Sequence, residues 1–521
     1  MAPDMKTPPK DPGSPRNKDG GKVPAEHLPP GASFGQIQMA RRAMLAPMEL
    51  NKDLHYHFLG VGGVGMSALA AIMHRRGHRV SGSDSREGRT LERLRAEGIR
   101  VHMGHNAEAL REAGAVVYST AIGPGHPVWA EVERLGLPRH HRSQVLGALA
   151  GERRTLAVTG THGKTTSSAA LSHVLLEAGW SPTVLVGGDV PQLSGVNHHI
   201  GQGEWMVCEA DESDGSFLNL TPAGILLTNI EADHLDQHGS LDNLVTAFEE
   251  FLGRIRPGGW LSYCCDDPLA ARLGYSLEKT ARITAESYGM NEEAQVRVHL
   301  DSMKAGEMHL SLYRNGSTYR LRTQLAGRQN ALNLAGVFSL ACQAGIEPEQ
   351  ALRALAGFQG VARRQQFVGK IGSLLLFDDY AHHPTEVAVT VEQFLATHGE
   401  PLTVVFQPHL YSRTAQFADE FARALKPATR VFVTEVYGAR EQPIAGVSGK
   451  MITMRLNEEL GHRDSWFVAD WEELARLVRE GEITTGTLLT LGAGNITELG
   501  PFLLDRTKQD PPAPHASQEA Q

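Results

Sequence analysis

The segment Thr159-Gly160-Thr161-His162-Gly163-Lys164-Thr165-Thr166 sets a lysine and two hydroxyls behind a pair of glycines. Glycines let backbone N–H groups turn toward an anion, the lysine can reach β- and γ-phosphates, and a threonine hydroxyl can hold Mg²⁺, so this spacing predicts a nucleoside triphosphate site. The segment is shorter than the generic phosphate loop, with Val158 where its leading glycine would stand. Two carboxylate-rich stretches follow. Cys208-Glu209-Ala210-Asp211-Glu212-Ser213-Asp214 and Leu226-Leu227-Thr228-Asn229-Ile230-Glu231-Ala232-Asp233-His234-Leu235-Asp236 each close an apolar strand. Composition alone would suit solvated loops. Beside a phosphate loop, strand-end carboxylates and an imidazole can instead hold metal ions against phosphates and offset charge during phosphoryl transfer.

A second glycine turn, Gly60-Val61-Gly62-Gly63-Val64-Gly65, also joins a strand to a helix, and Asp84 follows one strand later. The missing side chains let a diphosphate approach the helix N-terminus, and the acid can accept from a ribose hydroxyl or a base. Such a fingerprint fits NAD as readily as another nucleotide diphosphate, and a turn without a ligand has the same spacing.

These residues need elements to place them. Short apolar runs alternate with amphipathic stretches of helical length, the pattern of parallel α/β sheets, and it starts afresh three times. The first block opens on the strand His55 to Leu59 and the helix Met66 to Arg76, the second on Thr155 to Val158 and Lys164 to Ala178. The third opens on Leu374 to Phe377 and continues through Thr403 to Phe406, Val431 to Thr434 and Leu488 to Leu491. Between Val296 and Leu325, alternation around Asn315-Gly316 predicts an antiparallel hairpin added to the second sheet. The fold class is therefore α/β in three consecutive domains: residues 53–149 Rossmann-like, 150–361 a P-loop-type ATPase with the hairpin, and 362–507 Rossmann-like. Residues 1–52 and 508–521, rich in Pro and charge, read as disordered tails.

A chain of 521 residues has room for several cores, and 41% hydrophobic with 21% charged residues is a globular composition. The net charge of −9 excludes general attraction to nucleic acid or an anionic membrane, so anionic ligands must be held locally. No apolar run reaches the ~20 residues of a membrane span, and the N-terminus carries Pro, Gly, Lys and Asp where a secretory signal would carry an apolar stretch. The four cysteines, Cys208, Cys264, Cys265 and Cys342, form no metal or disulfide spacing and read as reduced thiols. A cytoplasmic location is expected. His55, His57, His140, His141, His198 and His199 fit no site pattern and are read as structural.

Six motifs then line up in order. Gly-Thr-His-Gly-Lys-Thr-Thr (160–166), Glu-Ala-Asp-Glu-Ser-Asp (209–214), Thr-Asn-Ile-Glu with Asp-His-Leu-Asp (228–236), Gly-Arg-Gln-Asn-Ala-Leu-Asn (327–333), Asp-Asp-Tyr-Ala-His-His-Pro-Thr-Glu (378–386) and Phe-Gln-Pro-His-Leu-Tyr-Ser-Arg-Thr (406–414) closely resemble the Mur ligase family, from about residue 54 to 500.

The resemblance implies an ATP- and Mg²⁺-dependent ligase that joins L-alanine to the lactyl carboxylate of UDP-N-acetylmuramate through an acyl phosphate, at the start of cell-wall peptide synthesis. It implies that Gly62, Gly63, Gly65 and Asp84 hold the UDP-sugar, and that Gly160, Thr161, His162, Gly163, Lys164, Thr165, Thr166, Asn330, Arg364 and Asp379 hold ATP. Thr165, Glu209 and His234 would be metal ligands. His382, His409 and Arg413 would face the amino acid or the muramyl carboxylate, and Lys164, His234, Arg364 and Arg413 would be catalytic. A monomer or weak homodimer is expected. Departures from the family's usual residues fall at Gln329, Gln365, Gln366, Asn495, His238 and Leu410, the last where some members carry a second arginine. Three alternatives stand beside this reading: a ligase that recycles a whole tripeptide onto the same nucleotide, an NAD-dependent oxidoreductase built on Gly60–Gly65, and a nucleotide sensor without catalysis.

Overall fold

The computed structural model describes Leu45 and residues 48–509, except 124, 214, 234, 305, 306, 440 and 463. Nearly all of the anticipated tails, together with Asp214 and His234, lie outside the described residues.

Three sheets follow one another along the chain. The first has five parallel strands in the order Arg100–Met103, Arg79–Asp84, His55–Leu59, Ala115–Tyr118, Arg139–His141. Its strand order reverses beside His55–Leu59, so the glycine turn Gly60–Gly65 opens into the crevice where α/β sheets receive ligands. The helix after the turn spans Val64–Arg75.

The second sheet has ten strands. At its centre Trp260–Cys264, Gly224–Leu227, Arg154–Thr159, Trp205–Glu209 and Thr183–Val190 run parallel. Three neighbouring strands thus deliver Thr159, Glu209 and Leu227 to the same edge, which brings the phosphate loop and both acidic stretches together. The expected hairpin is present, Glu307–Arg314 turning through Asn315 (φ 50°) and Gly316 (φ 75°) into Ser317–Thr323. Positive φ at both turn residues matches the right-handed twist of the strands. The unit is larger than the expected hairpin, because Val296–Lys304 also pairs antiparallel with Glu307–Arg314 and joins it to the parallel strands. At the far edge Val196–His199 runs antiparallel to Thr183–Val190.

The third sheet orders Gln366–Ile371, Ser373–Asp379, Thr485–Leu491, Leu402–Phe406, Arg430–Val433 and Ser465–Phe467, all parallel except the first. That antiparallel edge strand was not foreseen: Gln366-Phe367-Val368-Gly369-Lys370 is half polar and lies largely exposed, so it lacks the apolar run of its neighbours.

Two helices position the site from behind. Lys164–Glu177 begins at the phosphate loop and buries Ser167, Ala169, Ala170, Leu171, Val174 and Leu175, small and branched residues that let it lie flat on the sheet. Arg328–Gln343 packs beside it, burying Leu334, Val337, Phe338 and Leu340 in the same core. Each fully buried side chain of that size contributes about 1.5–3 kcal/mol, so the loops at the helix N-termini stand on rigid supports.

Candidate active site

The phosphate loop is folded by its own chain neighbours. Gly160 (φ 131°) and Gly163 (φ 82°) take conformations that L side chains avoid. A Cβ on Gly160 would run into Thr228 Oγ1 and lie 2.8 Å from the Asn229 carbonyl oxygen, and one on Gly163 would lie 2.5 Å from Asn333 Oδ1. Thr228 Oγ1 donates to the His162 carbonyl (2.7 Å), and Asn229 Oδ1 accepts from the His162 N–H (2.8 Å). Thr161 Oγ1 accepts from the Glu231 N–H (2.9 Å), closing the loop against the strand end that carries the second acidic stretch.

Lys164 turns its ammonium back under the loop. Nζ donates to the carbonyls of Gly160 (2.6 Å) and Thr161 (3.0 Å) and pairs with Glu212 at 2.9 Å, a carboxylate only 1% exposed. Burial would lower the lysine's pKa, but Glu212, Asp211 and Glu209 together hold it above its ordinary value, so the ammonium stays charged. Asp211 in turn lies 3.6 Å from Arg142, at the junction with the first domain. Glu209 stands beside the helix start, accepting from Thr165 Oγ1 (3.2 Å) and from the Gly187 N–H (2.9 Å). Among the described residues no three His, Cys, Asp or Glu side chains converge as a metal-binding group. Of the expected metal ligands, Thr165 and Glu209 stand hydrogen-bonded at 3.2 Å, and His234 falls outside the described residues.

A cavity of about 310 Å³ opens between the second and third domains and is lined by His162, Gly163, Thr165, Thr166, Asn330, Arg364 and Asp379, seven of the ten residues expected to hold ATP. Gly160, Thr161 and Lys164 form the loop behind it. Asn330 is held by its own helix start, its Nδ2 donating to the Ala326 carbonyl (2.8 Å). Asp379 accepts from the N–H groups of Gln365 and Ala381, both at 2.8 Å, and burial pushes its pKa up to about 6 against the pull of the Arg364 guanidinium. Arg364 lies 5.2 Å from the Tyr380 ring, close enough for a cation–π contact.

His162 joins the two domains at this cavity. Its Nε2 lies 3.3 Å from Glu231 and its Nδ1 3.6 Å from Glu386, which belongs to the third domain's helix Pro384–His398. Burial lowers the imidazole's pKa, but these two carboxylates raise it overall to about 9. Glu386 also accepts from the N–H groups of His382 (3.1 Å) and His383 (3.3 Å). His162, His382 and Arg364 hold it well below the usual carboxylate range in spite of burial.

The residues expected to face the amine gather on the third domain. The rings of His382 and His409 meet edge to face at 5.6 Å, and His409 stacks on Tyr437 at 6.0 Å. Arg413 Nη1 is buried without a hydrogen-bond partner, a guanidinium edge free to receive a carboxylate. Leu410 (φ 70°) is a strained non-glycine residue directly before the helix Tyr411–Leu425 that carries Arg413.

In the first domain Gly62 and Gly63 form the approach to the helix and Gly65 its first turn, with Arg142 Nη1 3.6 Å from where a Gly65 Cβ would stand. Asp84 accepts from the Gly62 N–H at 2.8 Å, so it braces the turn itself. Of the histidines read as structural, His57 lies buried between Ser81 (2.8 Å) and Ser83 (2.9 Å), and His141 caps the helix Arg142–Gly151. All four cysteines are free thiols. Among the described residues no helix is long and apolar enough to cross a membrane.

Sequence reasoning left Glu212, Glu386 and Asn333 without roles. Glu386 had a signal, since it stands three residues after His383 in a capping box. Asn333 had one too, three residues after Asn330 and hence on the same helix face.

Residues 55–154 match the profile described as Mur ligase family, catalytic domain, residues 158–341 the Mur ligase middle domain, and residues 363–494 the Mur ligase, glutamate ligase domain. The chain is 44% identical over 461 residues to a UDP-N-acetylmuramate–L-alanine ligase of Renibacterium salmoninarum, covering 88% of this chain and 97% of that protein. It is 38% identical over 472 residues to the enzyme of the same name from Carboxydothermus hydrogenoformans, covering 90% and 100%. Among solved structures, a UDP-N-acetylmuramate-alanine ligase from Thermotoga maritima superposes with a TM-score of 0.74 at 29% identity, over 88% of this chain and 99% of that one. A murein peptide ligase from Psychrobacter arcticus shares the fold with a TM-score of 0.66 at 22% identity, over 87% and 98%.

Proposed function

The chain belongs to the Mur ligase family, and from that premise we propose that it joins L-alanine to the lactyl carboxylate of UDP-N-acetylmuramate at the expense of ATP, in peptidoglycan precursor synthesis. The relatives supply the substrates' identities. The observation that carries the chemistry is the interdomain cavity in which Gly163, Thr165 and Asn330 of one domain face Arg364 and Asp379 of the next.

A carboxylate does not react with an amine until one oxygen becomes a leaving group. The lactyl carboxylate therefore attacks the γ-phosphorus of ATP and displaces ADP, giving an acyl phosphate. The amine then attacks the acyl carbon, phosphate leaves, and the amide forms with loss of a proton. Both steps gather negative charge, and Lys164, held charged behind the loop, and Arg364, on the cavity wall, are the groups proposed to offset it. Thr165 and Glu209, side by side at the loop and the strand end, fit a divalent cation's preference for oxygen donors, with His234 proposed as a further ligand. Mg²⁺ bound there would neutralise phosphate charge during transfer. The first domain's turn at Gly62, Gly63 and Gly65 is proposed to hold the UDP part, and the His382, His409 and Arg413 group the alanine. A cytoplasmic location and a monomer or weak homodimer complete the proposal.

Phosphate release measured with ATP, UDP-N-acetylmuramate and each candidate amine tests the reading. Release is expected with L-alanine, and Arg413→Ala should raise the KM for alanine more than that for ATP. Release with a murein tripeptide and none with alanine would overturn it.

A further inference from the structure

The third domain touches the cavity through a side chain that phosphate chemistry does not require. Gln393, on the helix Pro384–His398, sends its amide to the domain boundary, where Nε2 donates to the Ala326 carbonyl of the second domain at 2.5 Å and to Gln365 Oε1 of its own domain at 2.8 Å. Contact is so close that a Cβ on Gly327 would collide with the Gln393 carboxamide, so that glycine (φ 95°) is a condition of the approach.

Each partner of Gln393 leads to a residue of the candidate ATP site. The Ala326 carbonyl accepts from Asn330 Nδ2 (2.8 Å) as well as from Gln393, using both of its lone pairs. Gln365, held at φ 52°, donates its backbone N–H to Asp379 Oδ2 at 2.8 Å. Gln365 and Gln393 also stand between the 310 Å³ cavity and a second interdomain cavity of about 580 Å³, lining both. A hydrogen-bonded pair of amides is therefore the wall behind the nucleotide cavity.

We propose that Gln393 is a positioning residue for ATP: through the Ala326 carbonyl it fixes the Asn330 carboxamide, and through Gln365 it fixes the Asp379 loop, so that the nucleotide contacts of the two domains are set by one amide. The proposal rests on the ATP reading of this cavity. A residue that only supported the fold would affect all substrates alike. Gln393, acting through Asn330 and Asp379, affects the nucleotide alone.

The test is steady-state kinetics of the full chain carrying Gln393→Leu, similar in size but without the amide, with Gln365→Ala as a second variant that leaves the helix intact. Loss of two hydrogen bonds predicts a rise in the KM for ATP of about tenfold in Gln393→Leu, with kcat within about threefold and the KM values for alanine and the UDP-sugar unchanged. Gln365→Ala should give a smaller rise, and the double variant no more than Gln393→Leu alone. Calorimetric binding of a non-hydrolysable ATP analogue should weaken in parallel. An unchanged KM for ATP in both variants, or an equal rise for all three substrates, overturns the proposal. If the wild-type chain releases no phosphate, the functional reading fails instead, and the two failures are distinct.

Discussion

His162 provides the sharpest electrostatic prediction. Its imidazole is buried, which alone would keep it neutral, yet it lies between Glu231 of its own domain and Glu386 of the next and has its pKa raised from 6.5 to about 9. That gap corresponds to about 3 kcal/mol at roughly 1.4 kcal/mol per tenfold change in proton affinity. Glu231 is nearly half exposed and its share is screened, so about 2 kcal/mol is the better figure. Because the folded protein binds this proton more tightly than the unfolded chain, the stabilisation is complete below pH 6.5 and disappears as the pH rises through 9. Glu386→Gln removes one of the two charges while its remaining carbonyl oxygen can still accept from the N–H groups of His382 and His383. The variant should lower the His162 pKa by about one pH unit and flatten the dependence of Tm on pH between about 6.5 and 9.5, together with a loss of about 1 kcal/mol at neutral pH. Proton NMR of the imidazole Hε1 resonances follows the titration directly. A wild-type His162 that titrates at or below 6.5, or one indifferent to Glu386→Gln, would refute the bridge as the cause.

Two further substitutions separate folding from chemistry in the same loop. Lys164→Met leaves Glu212 buried without its cation, so Tm should fall by an amount equivalent to about 3–5 kcal/mol along with a loss of turnover by orders of magnitude. Adding Glu212→Gln should restore most of the Tm and none of the turnover, and thermal unfolding beside phosphate release distinguishes the two. Gly160→Ala places a Cβ against Thr228 Oγ1 at φ 131° and should cost well above the roughly 1 kcal/mol expected for Gly77→Ala, where φ is also positive but nothing lies within 4 Å. Equal losses by calorimetry would mean that crowding is not what keeps Gly160 small.

The strands and the turns that follow them were legible because glycine turns, strand ends and helix starts are local features with fixed chemistry. His55 to Leu59 was read to the residue, and the loop 160–166 was placed between the strand and helix that the structure shows. What the sequence could not display is pairing across domains. Glu386 is 224 positions from its partner His162, and no periodicity relates them. Gln365 reads as a departure from the family's usual pattern, and only the fold reveals that Gln393 answers it with an amide. The edge strand Gln366–Ile371 escaped for another reason, since an exposed strand carries no apolar run to announce it. His238, another departure, is fully buried and bonds the Glu212 carbonyl at 2.8 Å, so it supports the acidic stretch from below.

The charge balance around Lys164 explains why these motifs must occur together. Glu209, Asp211 and Glu212 surround one lysine, with Arg142 3.6 Å from Asp211. The adjoining cavity sets His162, Arg328 and Arg364 against Glu231, Asp266, Asp267, Asp379 and Glu386, so a triphosphate arriving alone would meet more negative than positive charge. On the function proposed above, the acidic stretch belongs to a site that would admit the nucleotide with divalent cations, and Lys164 is the charge paired with buried Glu212. On this account the carboxylates contribute specificity for the metal-bound nucleotide at a cost in stability that Glu212 and Lys164 offset as a buried pair.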